Sequence, residues 1–588
     1  MIRAGLTEIC RKPIIELPRR DTNELHFITE DGDDVVKLAK WAKEEGFYLC
    51  TMVANDERFL EDHVFKLYYV FSASDGKLVI IEHPLTDPKY PFNYASISKY
   101  FSSVIPLEKE ALDLFGLSPI DNTMNQGFVL HDPYPPDLFP LRPRRSMPDI
   151  IKRIEENKTQ VSKSESIPLP EGVLSLPVGP IHAGIIEAGQ FRFLIAGEIV
   201  EDLELRLGYK HRGIEKLFQT QYSLEEGWKL AERISGDSSF AHSMAYCQAV
   251  ESLAGMEPGA SALHWRGLFL EMERLHNHIG DVAAMVHDMA FDLAASRIAV
   301  LREKSMQLNA DLGGHRLLRN INRPGGVELT RSPNLSEASD RVRELTDQFL
   351  SLGKLVLEMP ACRNRMIMTG VLSLEQATEL GATGLVARAS GLGKHDFRLR
   401  HAKGVYAARP EMLAEINATI ESGEDGALRD SNGSASPTTS RRAQVLKEEL
   451  RGDVFARLAF RIAEVETSAR IIEILLRSLT DFESKQLHEV TPLVESLRRI
   501  ASFEFGLGYV EGWRGDIMYW VMKGPGNTIF RCKVRDPSLF NWPALVSAVI
   551  LKDQQSLEEG RSSLLENLLA DFPLINKSFN LSCSGNDL

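Results

Sequence analysis

The chain has 588 residues, of which 43% are hydrophobic and 26% are charged, and its formal net charge at pH 7 is -14. This composition is typical of a globular protein with several domains, and the negative charge argues against nucleic acid as a partner, because nucleic-acid binding needs concentrated lysine and arginine. The six cysteines are scattered without a C-x-x-C pair, so the sequence supports neither a disulfide framework nor an iron–sulfur cluster bound by this chain.

Hydropathy gives a first expectation about location. No apolar run approaches the roughly 18 residues that could cross a bilayer, and residues 1–20 lack the apolar core of a secretory signal. We therefore expect a chain without a membrane span of its own. It would be cytoplasmic, or held at a membrane through partner proteins.

Residues 1–145 alternate short β-rich runs, such as the one at 47–53, with a helical pattern at 35–46. This alternation predicts a small α+β domain. A helical stretch at 107–117 follows, and a proline-rich segment at 131–144 comes after it.

The helical stretch and the proline-rich segment resemble the end of the 30 kDa subunit of respiratory complex I, where a Glu-Arg-Glu-x-x-Asp-x-Phe-Gly signature precedes a proline-rich arm. Lys109 replaces the arginine of that signature. The matching residues are Glu108, Glu110, Asp113, Phe115 and Gly116. A capped surface helix that enters a proline-rich loop is the alternative interpretation of the same residues.

The second half of the chain is organised differently. Residues 146–173 are polar, charged and weakly periodic, which predicts a linker, and short strands with a hairpin follow it. Apolar residues at helical spacing then predict a helix bundle, over 213–312, 335–358 and 442–478. Residues 423–442 are low in apolar residues and rich in Gly, Ser and Thr, which predicts a disordered insertion. The fold class is therefore α+β, with a mainly α-helical second domain, 174–588, that begins with a small β-sheet.

Two segments of the second domain resemble the metal-binding segments of nickel–iron hydrogenase large subunits. Residues 232–251 resemble their Arg-x-Cys-Gly-x-Cys segment, and residues 535–549 resemble their closing Asp-Pro-Cys-x-x-Cys. The four cysteine positions are occupied here by Ser235, Ser238, Ser538 and Asn541. Hydroxyl and amide groups are weak neutral ligands for a soft metal that needs thiolates, so we expect a retained pocket with no metal.

Further segments are collinear with the same family over residues 174–550. Taken with the N-terminal domain, the chain resembles the large subunit of group 4 nickel–iron hydrogenases, of the hydrogenase-4 and formate hydrogenlyase type, and the fused 30 kDa/49 kDa (C/D) subunit of complex I. The resemblance implies a small iron–sulfur subunit and membrane-embedded complex I-like subunits as partners, on the cytoplasmic face of the cell membrane. It also implies that this chain binds no cofactor, that the iron–sulfur cluster lies in the partner, and that quinone is a candidate ligand.

Glu215 matches a glutamate that is implicated in proton transfer in nickel–iron hydrogenases. Arg212 lies three residues earlier, so in a helical turn the two side chains would share a face and direct a cation and a carboxylate toward one cavity. A buried carboxylate with a raised pKa is suited to passing protons. The alternative is an exposed ion pair with Lys216 or beside His211.

Around the emptied metal site, the resemblance implies that Ser235, Asp237 and Ser238 line a cavity. Arg233 would add positive charge, and Asp237 would add a titratable group. The alternative is that Asp237 or Ser238 is only the N-cap of the following helix. Asn541, which precedes a Trp-Pro pair, has the same capping chemistry.

Two further residues complete the candidate set. His182 is kept from the His-Pro-x-x-His loop of 49 kDa subunits, but Gly236 stands where those subunits have a tyrosine that binds quinone. Quinone reduction by the familiar residues is therefore not expected. Arg514 is expected beside the same cavity.

The sequence leaves two functions open. In the first, the chain is a catalytic-type large subunit that lacks the nickel–iron centre, passes electrons from a partner iron–sulfur subunit to quinone or another acceptor, and couples this to proton or ion movement. In the second, it is a non-catalytic structural subunit that bridges the iron–sulfur subunit and the membrane arm. An open polar channel at Ser235 and Ser538 would favour the first function, and a filled pocket the second. An active nickel–iron hydrogenase is disfavoured, because these residues supply no thiolates.

Overall fold

The structure is a computed structural model that describes most of the chain. The described residues are 2–10, 14–60, 63–86, 92–120, 128–131, 134–143, 146–157, 169–183, 186–330, 333–424, 451–480, 490–550 and 567–588.

The N-terminal domain is built on a five-stranded sheet with the strand order β1-β2-β5-β4-β3, in which β2 and β5 are parallel and the other neighbours antiparallel. Its strands are β1 (Ile15–Leu17), β2 (Glu24–Ile28), β3 (Tyr48–Asp56), β4 (Phe65–Ser72) and β5 (Leu78–Leu85). A parallel pair, β6 (Phe92–Ala95) and β7 (Leu117–Ile120), lies beside it. The helices of this domain are Ile2–Ile9, Gly32–Glu44 and Ile105–Phe115. The predicted α+β class is confirmed.

Local sequence explains the helices of this domain. The side chain of Asp31 accepts the backbone N–H of Asp33 and so caps the helix Gly32–Glu44. The buried residues of that helix follow a helical period, at Val35, Leu38, Ala39 and Ala42. The helix Ile105–Phe115 ends at Gly116, whose φ of 71° is in the left-handed region that favours glycine.

The second domain contains two antiparallel three-stranded sheets and one short strand pair. The first sheet, in the order β10-β9-β8, consists of β8 (Leu174–Val178), β9 (Gln190–Ala196) and β10 (Ile199–Arg206). The strands and the hairpin predicted for this region are present. The short pair is β11 (Asn322–Arg323) and β12 (Gly326–Val327). The second sheet, in the order β13-β14-β15, consists of β13 (Phe505–Glu511), β14 (Asp516–Lys523) and β15 (Ile529–Arg535).

The two domains share an apolar core, because the N-terminal sheet packs one face against the sheet β13-β14-β15. Val53, Tyr68 and Val70 from the first sheet belong to the same buried cluster as Leu507 and Trp520 from the second. The other face of the N-terminal sheet packs against its own helices. Burial on both faces explains why β3 to β5 are almost continuously apolar.

A helix bundle forms the rest of the second domain. The helices Ala260–Asp288 and Val454–Thr480 pack along each other, and Asp292–Gly313 and Leu335–Glu358 flank them. The remaining helices are Ile214–Gln221, Trp228–Ala231, Ser239–Ala254, Pro360–Met366, Leu374–Leu380, Gly384–Ala389, Phe397–Arg400, Val405–Ala408, Pro410–Glu424, Val494–Arg499, Ser538–Val549, Phe572–Phe579 and Cys583–Asn586.

The predicted linker and the predicted insertion lie partly outside the described residues, and the expectation about membrane spans can be compared with the described helices. Within the predicted linker, Met147–Asn157 forms a helix, while 158–168 lies outside the described residues. The predicted insertion at 423–442 lies outside them from residue 425 onward. In the described part of the chain, no helix is both long and apolar enough to span a bilayer.

Candidate functional site: a filled polar pocket

The four positions that match the metal-ligand cysteines come together from two chain segments. Ser235 and Ser238 precede the helix Ser239–Ala254, while Ser538 and Asn541 lie in the first turn of the helix Ser538–Val549. All four are buried.

A third segment, Asn580–Leu588, fills the space between these positions. The backbone N–H of Ser582 donates to Ser538 Oγ at 3.0 Å, and Ser582 Oγ lies 3.2 Å from Ser235 Oγ. Ser582 and Ser584 are also tied to Glu187, whose Oε2 accepts the backbone N–H of Ser584 at 2.9 Å and the hydroxyl of Ser582 at 3.3 Å. Protein atoms therefore occupy the place where the resemblance implied an open cavity.

Buried polar contacts fix the start of this segment. Asn580 has a left-handed backbone, with φ of 48°, directly after the helix Phe572–Phe579. Its side-chain amide donates to Asp281, and its carbonyl accepts from Arg514. Arg461 donates to the other oxygen of Asp281 at 2.9 Å, so two arginines hold this turn.

Close packing fixes the end of the segment. A Cβ atom at Gly585 would lie 2.5 Å from the carboxyl carbon of Asp536, so only glycine fits there without displacement. Asp536 in turn accepts the backbone N–H of Ser538 at 2.7 Å and pairs with His242 at 3.1 Å. The segment is thus fitted to the residues around the second pair of ligand positions.

Asp237 and Arg514 form a bidentate ion pair at the mouth of the pocket, with both N–O distances at 2.6 Å. Ser235 Oγ also donates to Asp237, and Ser238 Oγ accepts from Arg514 and from Trp513 Nε1. Burial opposes ionisation of Asp237, but the Arg514 guanidinium outweighs it and holds the pKa of Asp237 well below its usual range. The Asp237 side chain is 35% exposed, so this end of the pocket reaches the surface.

Ser238 occupies the N-cap position of the helix Ser239–Ala254, as one of the two interpretations predicted, but its side chain makes no capping hydrogen bond. Neither side chain caps the helix Ser239–Ala254, because both are engaged by Arg514. The Glu273 carboxylate takes that role, accepting the backbone N–H groups of Phe240 at 2.6 Å and Ala241 at 3.0 Å. Burial raises the pKa of Glu273 to about 8, against the effect of these two donors.

Asn541 is not a helix cap either, because its helix begins three residues earlier, at Ser538. Its side-chain amide pairs with the backbone of Thr383, accepting the N–H at 3.0 Å and donating to the carbonyl at 3.2 Å. The amide therefore joins two segments of the second domain.

Glu215 is buried, as its proposed role requires, but its partners differ from the prediction. Arg212 donates to the carbonyls of Arg233 and Ile234 instead. The Glu215 carboxylate pairs with Arg531, lies 3.5 Å from the Lys533 ammonium and accepts the Val534 backbone N–H at 3.0 Å.

These cations set the ionisation of Glu215. Burial alone would raise the pKa of Glu215, but Arg531 and Lys533 outweigh burial and lower it. The expectation of a raised pKa is wrong at this position. Lys533 also binds Glu110 of the N-terminal domain, whose pKa is raised, chiefly by burial. One carboxylate from each domain, Glu110 and Glu215, thus pairs with the ammonium group of Lys533.

Two predicted residues lie away from the pocket. The Arg233 side chain is about half exposed and donates to the carbonyl of Lys229. His182 lies 2.8 Å, through Nε2, from the carbonyl of Gly189, on the same loop as Glu187. It is therefore Glu187, not His182, that touches the filled pocket.

The sequence patterns did not single out Ser582, Glu187 or Trp513. Ser582 is 347 residues from Ser235, and no spacing rule connects such distant positions. The one usable signal was the Ser-Cys-Ser-Gly pattern at 582–585, whose small residues suit a segment packed closely against other backbone.

The residues present do not fit a nickel–iron centre. Ser235, Ser238 and Ser538 offer hydroxyls that are engaged in hydrogen bonds, and Asn541 is paired with Thr383. Elsewhere in the described ranges, no cluster of three or more His, Cys, Asp or Glu residues has an arrangement that could hold a metal ion.

Comparisons with known proteins find similarity to two families in different parts of the chain. The family of the 30 Kd subunit of respiratory-chain NADH dehydrogenase matches residues 28–149, and that of the 49 Kd subunit matches residues 294–411. Formate hydrogenlyase subunit 5 of Escherichia coli is 28% identical over 553 residues, which cover 90% of this chain and 83% of that protein. Hydrogenase-4 component G of the same organism is 29% identical over 535 residues, which cover 90% of this chain and 81% of that protein.

Two further proteins are similar to this chain at lower identity. The fused C/D subunit of the NADH-quinone oxidoreductase of Phocaeicola vulgatus is 24% identical, over 82% of this chain and 86% of that protein. A chain of the membrane-bound sulfane sulfur reductase, an archaeal respiratory membrane complex, shares the fold, with a TM-score of 0.56, 24% identity, and coverage of 72% of this chain and 100% of that chain. The chain thus resembles the large subunit of group 4 nickel–iron hydrogenases and the fused C/D subunit of complex I, with serine or asparagine at the four nickel-ligand cysteine positions.

Proposed function

We propose that this chain is a core subunit of a membrane-associated oxidoreductase complex, and that it bridges an iron–sulfur subunit and the membrane arm without performing chemistry at the former metal site. Similarity to formate hydrogenlyase, hydrogenase-4 and NADH-quinone oxidoreductase subunits supports membership of such a complex. The bridging role goes beyond that similarity and depends on the pocket.

The observation that carries the bridging role is the insertion of Ser582 between Ser235 and Ser538. An acceptor molecule at this place would have to displace Ser582 and the Glu187 contacts of Ser584. The hydrogen bonds around these serines are internal, so the pocket is held together by the chain itself. A filled site of this kind supports a structural role over substrate binding.

An uncovered apolar edge supports docking to another subunit. Leu174, Leu176 and Val178 alternate along edge strand β8 and share a sheet face with Phe191 and Phe193 of β9. The two phenylalanines are buried, but Leu174 is 66% exposed. An exposed apolar edge strand is a liability in an isolated chain, so we assign this face to a partner subunit.

The cofactors follow from the same proposal. This chain would bind none, and the iron–sulfur cluster would belong to the small partner subunit. We place that subunit against the surface near Asp237, where the pocket reaches solvent and the Asp237 side chain is 35% exposed. We propose the cytoplasmic face of the membrane as the location of the complex.

The exposure of the Asp237 side chain at the mouth of the pocket favours a second function. The Asp237 carboxylate, beside Ser235 and Arg514, is the charged end of the pocket that a molecule arriving from the partner's side would meet. In this alternative, the chain passes electrons from the iron–sulfur subunit to quinone or another acceptor at the mouth of the pocket, and the change of charge is coupled to proton or ion movement.

Purification of the intact complex from membranes separates the two functions. Asp237→Asn removes the charge at the mouth, and Asp292→Asn, at an exposed aspartate paired with His287, is the matched control. The measurements are the amount of assembled complex, its nickel content, and electron transfer per complex from NADH or reduced ferredoxin to a soluble quinone analogue. Bridging predicts unchanged transfer per complex in both variants. Transfer lost only in Asp237→Asn would establish the second function, and about one nickel per complex would contradict both.

A further inference from the structure

A closed ring of ion pairs lies in the interior of the second domain. Three carboxylates and three guanidinium groups alternate around it, and neighbouring groups are 2.6 to 3.6 Å apart. The members, in order, are Glu271, Arg274, Glu464, Arg388, Asp396 and Arg398. None is more than 5% exposed. The ring is therefore electrically balanced, with three positive and three negative groups.

Glu511, at the end of β13, adds a fourth carboxylate to this ring. Its Oε1 accepts from Arg388 at 2.8 Å, and its Oε2 accepts the backbone N–H of Phe397 at 3.3 Å. Arg388 already pairs with Glu464 and Asp396, so Glu511 has no guanidinium of its own. With Glu511 ionised, four negative groups face three positive ones.

The other charged groups near Glu511 do not supply the missing positive charge. Asp516 is a further acid, and it pairs with Arg535. His278 lies 3.0 Å from Glu464, but burial lowers the pKa of His278, which keeps its imidazole neutral near pH 7. Burying an unmatched charge is costly, and a titratable group in that position takes up a proton instead.

We propose that Glu511 is a proton-binding site, and that its carboxyl group is neutral in the folded protein at mildly acidic pH because the ring has one carboxylate too many. Proton uptake forms one O–H bond on the Glu511 carboxylate and involves no redox step. Burial and the neighbouring Asp396 together raise the pKa of Glu511 to about 7, while Arg388 opposes them.

This site is connected to the filled pocket through a short stretch of backbone. Arg274, a ring member, donates to the carbonyls of Glu511 at 2.6 Å and Gly512 at 3.0 Å. Arg514, two residues beyond Gly512, holds Asp237. These contacts are the route by which a change in the charge of Glu511 would reach the pocket. The inference does not depend on the proposed bridging function, since it involves only buried groups of this chain.

Infrared spectroscopy of the purified full-length chain tests the site, because a neutral carboxyl group has a C=O stretching band that an ionised one lacks. We expect one such band to disappear as pH rises through about 7, and to be missing at every pH in Glu511→Gln. The pKa values of Glu232 and Glu273 are also raised, to about 7 and about 8, so Glu232→Gln and Glu273→Gln are the controls that must keep the Glu511 band titrating near 7.

A second variant tests the charge count itself. Glu464→Gln removes one ring carboxylate without changing its size, which leaves three acids for three guanidinium groups. Glu511 should then ionise, so its band should be absent at pH 6 although Glu511 is still present. If Glu464→Gln does not fold, Asp396→Asn tests the same balance.

Stability gives an independent readout. A carboxyl group whose folded pKa is raised stabilises the protein below its unfolded pKa, and that contribution is lost as pH rises through the folded pKa. Between about pH 5 and 7 the unfolding constant of the wild type should therefore rise about tenfold more per pH unit than that of Glu511→Gln. An identical pH dependence in the two proteins, or no band specific to Glu511, would overturn the proposal.

Discussion

The filled pocket and the Glu215 cluster hold buried charges in different ways. In the pocket, one carboxylate faces one guanidinium, Asp237 with Arg514, at a partly exposed mouth. In the cluster, Glu215 and Glu110 share Lys533 across the domain boundary, fully out of water. The comparison shows that hydrogen bonds within the chain hold together the positions that match the metal-ligand cysteines, whereas Glu215 is held as an ion at the boundary between the two domains.

The largest effect should come from unbalancing the interdomain cluster. Lys533→Met leaves Glu110 and Glu215 facing only Arg531, and breaking a buried ion pair in this way costs about 3–5 kcal/mol. Denaturant unfolding measures the loss. Lys229→Met, which breaks an exposed pair with Glu226, is the control and should leave the unfolding curve almost unchanged.

The double variant Glu110→Gln/Lys533→Met sharpens that result. It removes one negative and one positive charge, which leaves Glu215 with Arg531. We expect it to recover a large part of the stability lost in Lys533→Met. No recovery would mean that lost packing, and not charge balance, explains the effect.

A smaller loss is expected where the Asn580–Leu588 segment packs most tightly. Gly585→Ala places a Cβ 2.5 Å from the Asp536 carboxyl carbon, and overpacking of this kind costs about 1–3 kcal/mol. Gly236→Ala, at the same pocket but with its nearest atom at 3.7 Å, is the control and should be nearly neutral. Equal effects in denaturant unfolding would contradict the tight fit of the segment.

Removal of the Asp237 charge at the mouth of the pocket should have a smaller effect on the free energy of unfolding. Asp237→Asn removes a partly exposed ion pair, and we expect a loss of about 1 kcal/mol or less that shrinks as salt is added. The folded pKa of Asp237 is lowered, so its stabilising contribution is present above its unfolded pKa of about 3.9 and is lost as pH falls through the folded value. The difference in stability between the two proteins should therefore be largest at pH 7 and begin to shrink only as pH falls below about 3.9.

The smallest effect on stability is expected at the apolar edge of β8. Leu174→Ser should change the free energy of unfolding by less than about 0.5 kcal/mol, because the side chain is 66% exposed. It should nevertheless reduce assembly with partner subunits, measured by co-purification from membranes. Val300→Ser, at a residue that is 57% exposed on the helix bundle, should leave assembly unchanged.

Local patterns were enough to predict the α+β class, because strand alternation and helical period act over a few residues, but the sheet β13-β14-β15 was not predicted. The helix Gly32–Glu44 and the strand Tyr48–Asp56 follow directly from such patterns. The site was only partly predictable. The positions of Ser235 and Ser538 came from family resemblance, but the group that fills the space between them, Ser582, comes from a distant part of the chain.

Charge partners were the least predictable feature. Arg212 and Glu215 lie three residues apart, yet each is engaged by a segment that is remote in sequence. The same holds for Ser238, where Trp513 and Arg514 compete successfully with the local capping role. Buried polar groups take whichever partners the tertiary fold supplies, and sequence spacing alone does not contain that information.

Native-state hydrogen exchange of the residues around Ser582 tests the central claim most directly. The backbone N–H of Ser582 is bonded to Ser538 Oγ, that of Ser584 to Glu187, and that of Gly585 to Ser582 Oγ. If the segment fills the former metal pocket, these amides should exchange as slowly as those of the buried strand β14. Exchange at the rate of an unstructured peptide would contradict the account, because the pocket would then be open.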